Sequence, residues 1–444
     1  MTVDAARRAD AEIELPGLIP LPRRVLKHPR LMHYNRLAAL VLVANLVVLA
    51  HGLGSGGWWT SGGVDLRALS SAALVNFALG IVVRQQYVIN LLFRLATLAP
   101  TTWPLRVRWT LAKVYHFGGL HIGGVLAGTL WFLALVGGLT YHAARGLGGA
   151  AAGTVAVSYA LVALLVGMVV TASPPLRSRY HDLFERTHRF GGWTALALFW
   201  IQAVLFARDA GENLATAPSL WILAVITLSI ALPWLRLRRV PVVIERPSSH
   251  VALVHFDHGV TPFAGSSTTV SRNPLLEWHS FANVPAPGRP GFRLTISRAG
   301  DWTGSFIDDL PSHVWVKGIT TAGVANIETL FTKVVYVATG SGIGPCLPHL
   351  LAAAVPSRLV WSARRHRDTY GDKLVDEILA VQPDAVLWDT AKLGKPDMVR
   401  LAYAAYADFG AEAVICISNK QLTWQVVHGM ERRGIPAYGA IWDS

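Results

Sequence analysis

The residues best suited to chemistry are Gly340-Ser341-Gly342-Ile343-Gly344-Pro345. They follow the apolar, β-branched run Val334-Val335-Tyr336-Val337-Ala338-Thr339 and precede Leu347-Pro348-His349-Leu350-Leu351-Ala352, which reads as a helix start. Strand, glycine turn and helix together suit phosphate. Glycines let the backbone approach an anion, and a helix N-terminus points N–H groups at it. The spacing differs from the ordinary Gly-x-Gly-x-x-Gly fingerprint, and a plain strand-to-helix turn would use the same glycines. Arg364, Arg365 and Arg367 follow the next strand, where a 2′-phosphate would lie; a solvated loop is the other reading. Histidines form a second group. His121 and His188 fall at one expected depth on two apolar spans, and imidazole is a common axial ligand of haem iron. Histidines at span ends also serve as hydrogen-bond partners of a neighbouring helix, so both readings stand.

The elements that must position these groups fall into two halves. The chain has 444 residues, enough for two or three domains. Its mean hydropathy of +0.39 and 15% charged residues are too apolar for a soluble enzyme and point to a membrane protein. Net charge is +13. Basic residues sit beside apolar spans, so anionic lipid and a phosphorylated cofactor are the expected partners rather than nucleic acid. The two cysteines, Cys346 and Cys416, make no disulfide framework and fit a reducing compartment. The start of the chain lacks the pattern of a signal peptide.

Residues 1–36 read as a basic tail with an interfacial segment. Six apolar spans are expected near 37–53, 69–90, 116–138, 150–172, 190–207 and 218–236, each close to the ~20 residues that cross a bilayer. Arg94, Arg106, Arg108 and Lys113, then Arg177, Arg179, Arg186 and Arg189, load one set of connections, which the positive-inside rule makes cytoplasmic. Both termini would then be cytoplasmic, in a multi-pass integral membrane protein. Trp58 and Trp59, and Trp103 and Trp109, are expected at the two interfaces. Gly118-Gly119, Gly123-Gly124 and Gly128 suit either close helix packing or a flat macrocycle.

After Pro241 short β-rich runs separated by Pro/Gly/Ser clusters suggest an antiparallel barrel over 238–331. From 332 to 444 strands and helices alternate, as in a doubly wound parallel sheet. The expected fold is thus a six-helix membrane bundle over 37–237, an antiparallel β-barrel and an α/β nucleotide-binding domain.

This order, and the turn at Gly340–Gly342 after its Val-rich strand, resembles the ferredoxin–NADP reductase superfamily. Glu277-Trp278-His279-Ser280-Phe281 resembles the flavin strand of the membrane ferric reductases and NADPH oxidases. Gly300-Asp301-Trp302-Thr303 resembles their Gly-x-Trp/Tyr-Thr segment. Where that family has Gly-Pro-Tyr-Gly, this chain has Lys317-Gly318-Ile319-Thr320-Thr321-Ala322-Gly323, whose glycines and hydroxyls suit a pyrophosphate. The run from Gly429 to Ser444 looks like the end of fungal membrane flavoprotein oxidoreductases and of reductase-like tails on some adenylate-forming enzymes.

The resemblance implies FAD at Trp278, His279, Ser280, Trp302, Thr303 and Gly318. It implies NAD(P)H at Thr339, Gly340, Ser341, Gly342, Gly344, Pro345 and Arg364. Cys416 would lie near the nicotinamide and Trp442 would stack on the flavin; a core cysteine and an indole packed on the last helix are the alternatives. It further implies haem b, at His121 and His188. The sequence departs here, because the family carries two histidines on each of two helices. The activity implied is electron transfer from NAD(P)H through FAD to a membrane haem or a small acceptor. A non-catalytic membrane sensor or scaffold that binds a nucleotide is the rival. A transporter is disfavoured, since the spans lack buried acidic residues and inverted halves.

Overall fold

The computed structural model describes residues 13–60, 62–148, 150–285 and 290–440. The chain forms two compact units that are not contiguous in sequence. One comprises His33–Gln85 and Phe117–Leu235; the other comprises Gln86–His116, the chain from Arg236 onward and the segment that ends at Met32.

In chain order the helices before residue 236 are α1 (Leu21–Leu26), α2 (His33–Gly54), α3 (Leu66–Val82), α4 (Gln86–Thr97), α5 (Leu105–Leu111), α6 (Gly118–Arg145), α7 (Ala152–Thr171), α8 (Pro174–Arg179), α9 (His181–Asp209) and α10 (Pro218–Leu235). Five helical stretches are long and apolar enough to cross a membrane, or six if the bent pair α3 and α4 counts as one. The span expected over 69–90 breaks at Val83-Arg84-Gln85 and continues as α4 in the other unit.

The helical unit packs α2, α3, α6, α7, α9 and α10 around Leu69, Leu135, Leu161 and Leu223, all fully buried. The glycines of α6 explain how close its neighbours come. A Cβ on Gly119 would lie 2.0 Å from the Tyr34 carbonyl, and one on Gly124 would lie 2.7 Å from the Asn76 carbonyl. The small residues therefore serve helix–helix packing. Asn45 and Asn76 exchange side-chain hydrogen bonds of 2.9 and 2.7 Å, and the Trp131 indole donates to Asn45 Oδ1 at 2.7 Å. These buried amides satisfy one another, as an apolar setting demands.

The other unit contains the two large sheets; the two-stranded ribbon Trp59–Thr60 with Gly63–Val64 belongs to the helical unit. Strands β1 (Leu237–Pro241), β2 (Val243–Glu245), β3 (Val251–Phe256), β4 (Ser266–Ser271), β5 (His279–Val284) and β6 (Phe292–Ser297) precede α11 (Asp301–Asp309) and β7 (His313–Lys317). Their order is β1-β7-β4-β5-β6-β3-β2, with the two-residue strand Thr321–Ala322 paired to β4. β1 and β2 are joined by one residue yet lie at opposite ends of this order. The antiparallel sheet must curl almost into a barrel, filled by Val254, Leu294, Ile296 and Phe306.

The chain ends with β8 (Val334–Thr339), α12 (Ile343–Ala352), β9 (Ser357–Ala363), α13 (Asp372–Val381), β10 (Val386–Asp389), α14 (Met398–Phe409), β11 (Ala413–Ile417), α15 (Lys420–Glu431) and β12 (Ala437–Gly439). The order β10-β9-β8-β11-β12 is parallel throughout. The direction of winding reverses at β8. Such a switch point opens a crevice at the carboxyl ends of β8 and β11, where ligands bind in sheets of this kind.

Candidate nucleotide-binding site

β8 is buried along Val334–Ala338 and delivers Thr339 to that crevice. The turn Gly340–Gly342 follows at once and opens α12. Gly340 has φ +50°, which favours glycine. Its carbonyl accepts the Trp361 indole N–H at 3.0 Å, so β9 holds the turn from one side. From the other side Ser418, at the end of β11, bonds Thr339 through a hydroxyl pair. Ser341 and Pro345 are exposed, and the N-terminal N–H groups of a ten-residue helix lie beside them. The arrangement presents a helix start and the exposed Ser341 at one crevice, which fits a phosphate or a nucleotide.

The three glycines are not equivalent. A Cβ on Gly342 would lie 2.0 Å from the Ile417 carbonyl, so this glycine is required by β11. That contact alone accounts for glycine at this position. A Cβ on Gly344 would meet the Thr295 carbonyl at 3.5 Å, an ordinary distance. Gly344 is thus the glycine whose smallness the fold leaves unexplained.

Cys416 lies inside the α/β core, fully buried, and burial pushes its thiol up to about 12. It is a neutral core thiol, and no thiolate chemistry is open to it at neutral pH. Arg367 is held by Asp372 and Asp376 at 2.9 and 2.7 Å. Arg364 and Arg365 are exposed, and neither guanidinium has an ion-pair partner among the described residues. Trp442 lies outside the described residues.

The barrel residues expected at a flavin are brought together in part. His279 stacks on Trp302 with centroids 4.0 Å apart, and Phe306 stacks on Trp302 at 5.1 Å. The buried Trp302 Nε1 has no hydrogen-bond partner, a donor that a bound group would satisfy. This aromatic patch with an orphan N–H fits a flat heterocycle. Hydroxyls nearby are already engaged. Ser280 bonds Thr269 at 2.9 Å, and Thr303 Oγ1 accepts from the N–H groups of Ala299 and Gly300 at 2.8 and 3.1 Å. The Trp278 indole donates to the Pro274 carbonyl at 2.8 Å. Gly318 and Gly323 face backbone. Their Cβ atoms would lie 2.8 Å from the Arg236 carbonyl and 2.7 Å from the Gly265 carbonyl. Thr321 bonds Ser267 at 2.8 Å. The 318–323 segment spends its glycines and the Thr321 hydroxyl on the barrel, not on a cradle.

A buried triad near the turn has no counterpart among the motifs read from the sequence. Glu328 accepts the Tyr336 hydroxyl at 2.7 Å and bonds His349 Nδ1 at 2.6 Å, all three almost wholly buried. Burial and Glu328 push the Tyr336 phenol well up. The triad ties β8 and α12 to the 3-10 segment Val324–Leu330. A cleft of about 710 Å³ between barrel and α/β layer, lined by Phe256, Phe292, Arg293 and Glu377, contains none of the expected site residues.

In the helical unit His121 and His188 do come together. Their rings are 6.4 Å apart at 80°, and His121 Nδ1 bonds the Gly80 carbonyl at 2.7 Å. No group of three or more His, Cys, Asp or Glu suited to a metal occurs among the described residues.

The site thus consists of a nearly closed antiparallel barrel followed by a parallel sheet with a glycine turn at its switch point. Residues 324–444 match the family model "Adenylate-forming reductase 03009, C-terminal domain". The chain is 44% identical over 430 residues to adenylate-forming reductase 03009 of Coprinopsis cinerea, covering 95% of this chain and 41% of that protein. It is 42% identical over 428 residues to adenylate-forming reductase 06235 of the same fungus, again 41% of that protein. The chain therefore spans about two-fifths of the curated relatives it matches. Among solved structures it is similar to a ferredoxin-NADP+ reductase from Plasmodium falciparum (TM-score 0.35, 10% identity, 46% of this chain and 95% of that one). It is also similar to a cytochrome P450 reductase from Amycolatopsis (TM-score 0.35, 13% identity, 46% and 69%).

Proposed function

We propose that this chain is a membrane-spanning flavoprotein oxidoreductase that takes electrons from NAD(P)H and passes them to a membrane or small acceptor. The observation that carries the reading is the glycine turn at the switch point of the parallel sheet, with Thr339 and Ser418 paired across it. The names of the matched relatives agree with a reductase. The nucleotide's pyrophosphate would sit on the N–H groups at the start of α12, with Ser341 beside it. Arg364 and Arg365 would take a 2′-phosphate, which favours NADPH over NADH. FAD, when bound, supplies hydride acceptance and one-electron release. His279 and Trp302 would hold its ring system, and the Trp302 indole would donate to it. In the helical unit, α2, α3, α6, α7, α9 and α10 would cross the bilayer, with both termini cytoplasmic.

A haem would make the protein akin to the membrane ferric reductases. His121 and His188, whose rings lie 6.4 Å apart, would hold the haem, which would supply one-electron transfer, and the Gly80 carbonyl would fix the His121 tautomer.

One observation favours the rival, a nucleotide-binding sensor or scaffold without turnover: the Ser280 and Thr303 hydroxyls are already bonded within the protein. An absorption spectrum of purified protein, followed by NADPH oxidation with a dye acceptor, separates the two. Flavin bands and dye reduction are expected. Nucleotide binding without flavin or turnover would establish the sensor. A Soret band lost on replacing His121 or His188 with Ala would place the haem; no Soret band in the parent would remove it.

A further inference from the structure

We propose that α4, Gln86–Thr97, lies flat on an anionic lipid surface with its outer apolar stripe in the boundary between headgroups and acyl chains. The helix has two apolar faces. The inner face buries Ile89, Phe93 and Ala96. Asn90 fastens that face by donating to the Thr320 carbonyl and accepting from the Ala322 N–H, each at 2.9 Å. The outer face carries Tyr87, Leu91, Leu95 and Leu98, which are 47%, 53%, 57% and 67% exposed. These positions recur every three or four residues and form one stripe. A helix at a protein–water boundary carries mostly polar residues on its outer face, whereas here Arg94 is the one charged side chain among these exposed positions.

Charge and chain length select the occupant. Arg94 on α4 and Arg106 on the following α5 are exposed and have no ion-pair partner among the described residues; Trp103 between them is 48% exposed. Leucine, aromatic and arginine side chains together are the composition of a helix lying in a membrane interface. Only Val83-Arg84-Gln85 separates α4 from α3, one of the helices read above as crossing the bilayer. The stripe is therefore tethered within a few residues of the membrane surface. A second copy of the chain is a poorer occupant, because a net charge of +13 opposes self-association and favours anionic lipid. The inference rests on the membrane-spanning reading, and the test separates the two.

The test uses the full chain in nanodiscs. The native cysteines are buried, so Leu91→Cys accepts an environment-sensitive fluorophore selectively. Leu228→Cys, on α10 and 66% exposed, reports on the spanning reading. Lipids brominated near the headgroup should quench the probe at 91, and aqueous iodide should not. Lipids brominated deep in the chains should quench the probe at 228. With Arg94→Gln and Arg106→Gln together, the blue shift of the probe at 91 on changing from zwitterionic to anionic lipid should be lost. Iodide quenching at 91 with bromolipid quenching kept at 228 overturns the proposal and leaves the spanning reading intact. Loss of quenching at both positions overturns both. Protection at 91 that grows with protein per disc and ignores bromolipid would assign the stripe to a second copy and also overturn the proposal.

Discussion

At Ser341 the fold and the ligand make opposite demands, and that opposition is testable. An Asp just before the N-terminus of α12 would stabilise the helix by about 0.3–1 kcal/mol through the macrodipole. It would also place a negative charge where a phosphate is expected, at about 1–4 kcal/mol of repulsion. Ser341→Asp should therefore keep or raise thermal stability while weakening NADPH binding roughly tenfold or more, read by calorimetry. Unchanged affinity would move the nucleotide away from this turn. The two glycines beyond it divide in the same way. Gly342→Ala should unfold the turn with or without ligand, since its Cβ would meet the Ile417 carbonyl at 2.0 Å. Gly344→Ala should fold normally and lose binding only if the nucleotide or flavin occupies that space. The glycine pattern was legible in the sequence, but which glycine answers to backbone and which to ligand was not. That distinction depends on how near β11 passes, and β11 is some seventy residues further along the chain.

At the scale of elements, α5 shows what charge counting hides. Arg106, Arg108 and Lys113 together signal a cytoplasmic connection, yet only Arg106 is exposed. Arg108 makes a two-pronged ion pair with Glu412 at 2.7 and 3.0 Å and donates to the Leu330 carbonyl at 2.8 Å. Lys113 meets Glu431 at 2.6 Å and the Ala437 carbonyl at 2.8 Å. The Trp109 indole, expected at a membrane interface, donates to Glu431 at 3.2 Å. Sequence gives the sign of a charge but not a partner three hundred positions away. Arg108→Ala should destabilise this unit by about 3–5 kcal/mol, because truncation leaves a charge without its partner. Arg108→Ala with Glu412→Gln should recover part of that loss in a double-mutant cycle. Acid should act on the same contacts. The Arg108 hydrogen bond lowers the Glu412 carboxyl from its ordinary value; burial raises that of Glu431, but Lys113, Lys27 and the Trp109 indole outweigh it and leave it lowered. Both groups thus contribute stability above the ordinary value of 4.5, and this is lost as pH falls through their lower folded values. Hydrogen exchange in α5 and β12 should rise below about pH 4.5 before exchange in β8 does.

At the scale of the molecule, the two units interleave along the chain, and the segment before residue 33 shows the consequence. Its basic composition reads as a tail, but its described part is bonded into the α/β layer. The Ile19 N–H donates to the Arg432 carbonyl at 3.0 Å, and His428 Nδ1 bonds the Lys27 carbonyl at 3.0 Å. The Lys27 ammonium lies 3.7 Å over the Trp109 ring and 3.8 Å from Glu431, and Leu15 packs on the α/β core. The segment thus supplies a second cation to a carboxylate already bonded by Lys113 and the Trp109 indole. Composition could not reveal this, because residues that solvate a free tail also cap α15 when its end is near. Deleting residues 1–32 should therefore weaken the far end of the chain. Hydrogen exchange in α15 and β12 should rise, and the thermal midpoint of this unit should fall by several degrees, as loss of about 1–2 kcal/mol predicts. Exchange in α6 and α9, in the helical unit, should stay as in the parent. Lys27→Met separates charge from packing, because it keeps most of the apolar stem over Trp109 and removes the ammonium. If Lys27→Met reproduces most of the loss, the ion pair with Glu431 dominates; if it is silent while the deletion is not, the backbone bonds of Ile19 and Lys27 carry the attachment. Unchanged exchange in α15 after the deletion would show that the segment adds nothing to the fold.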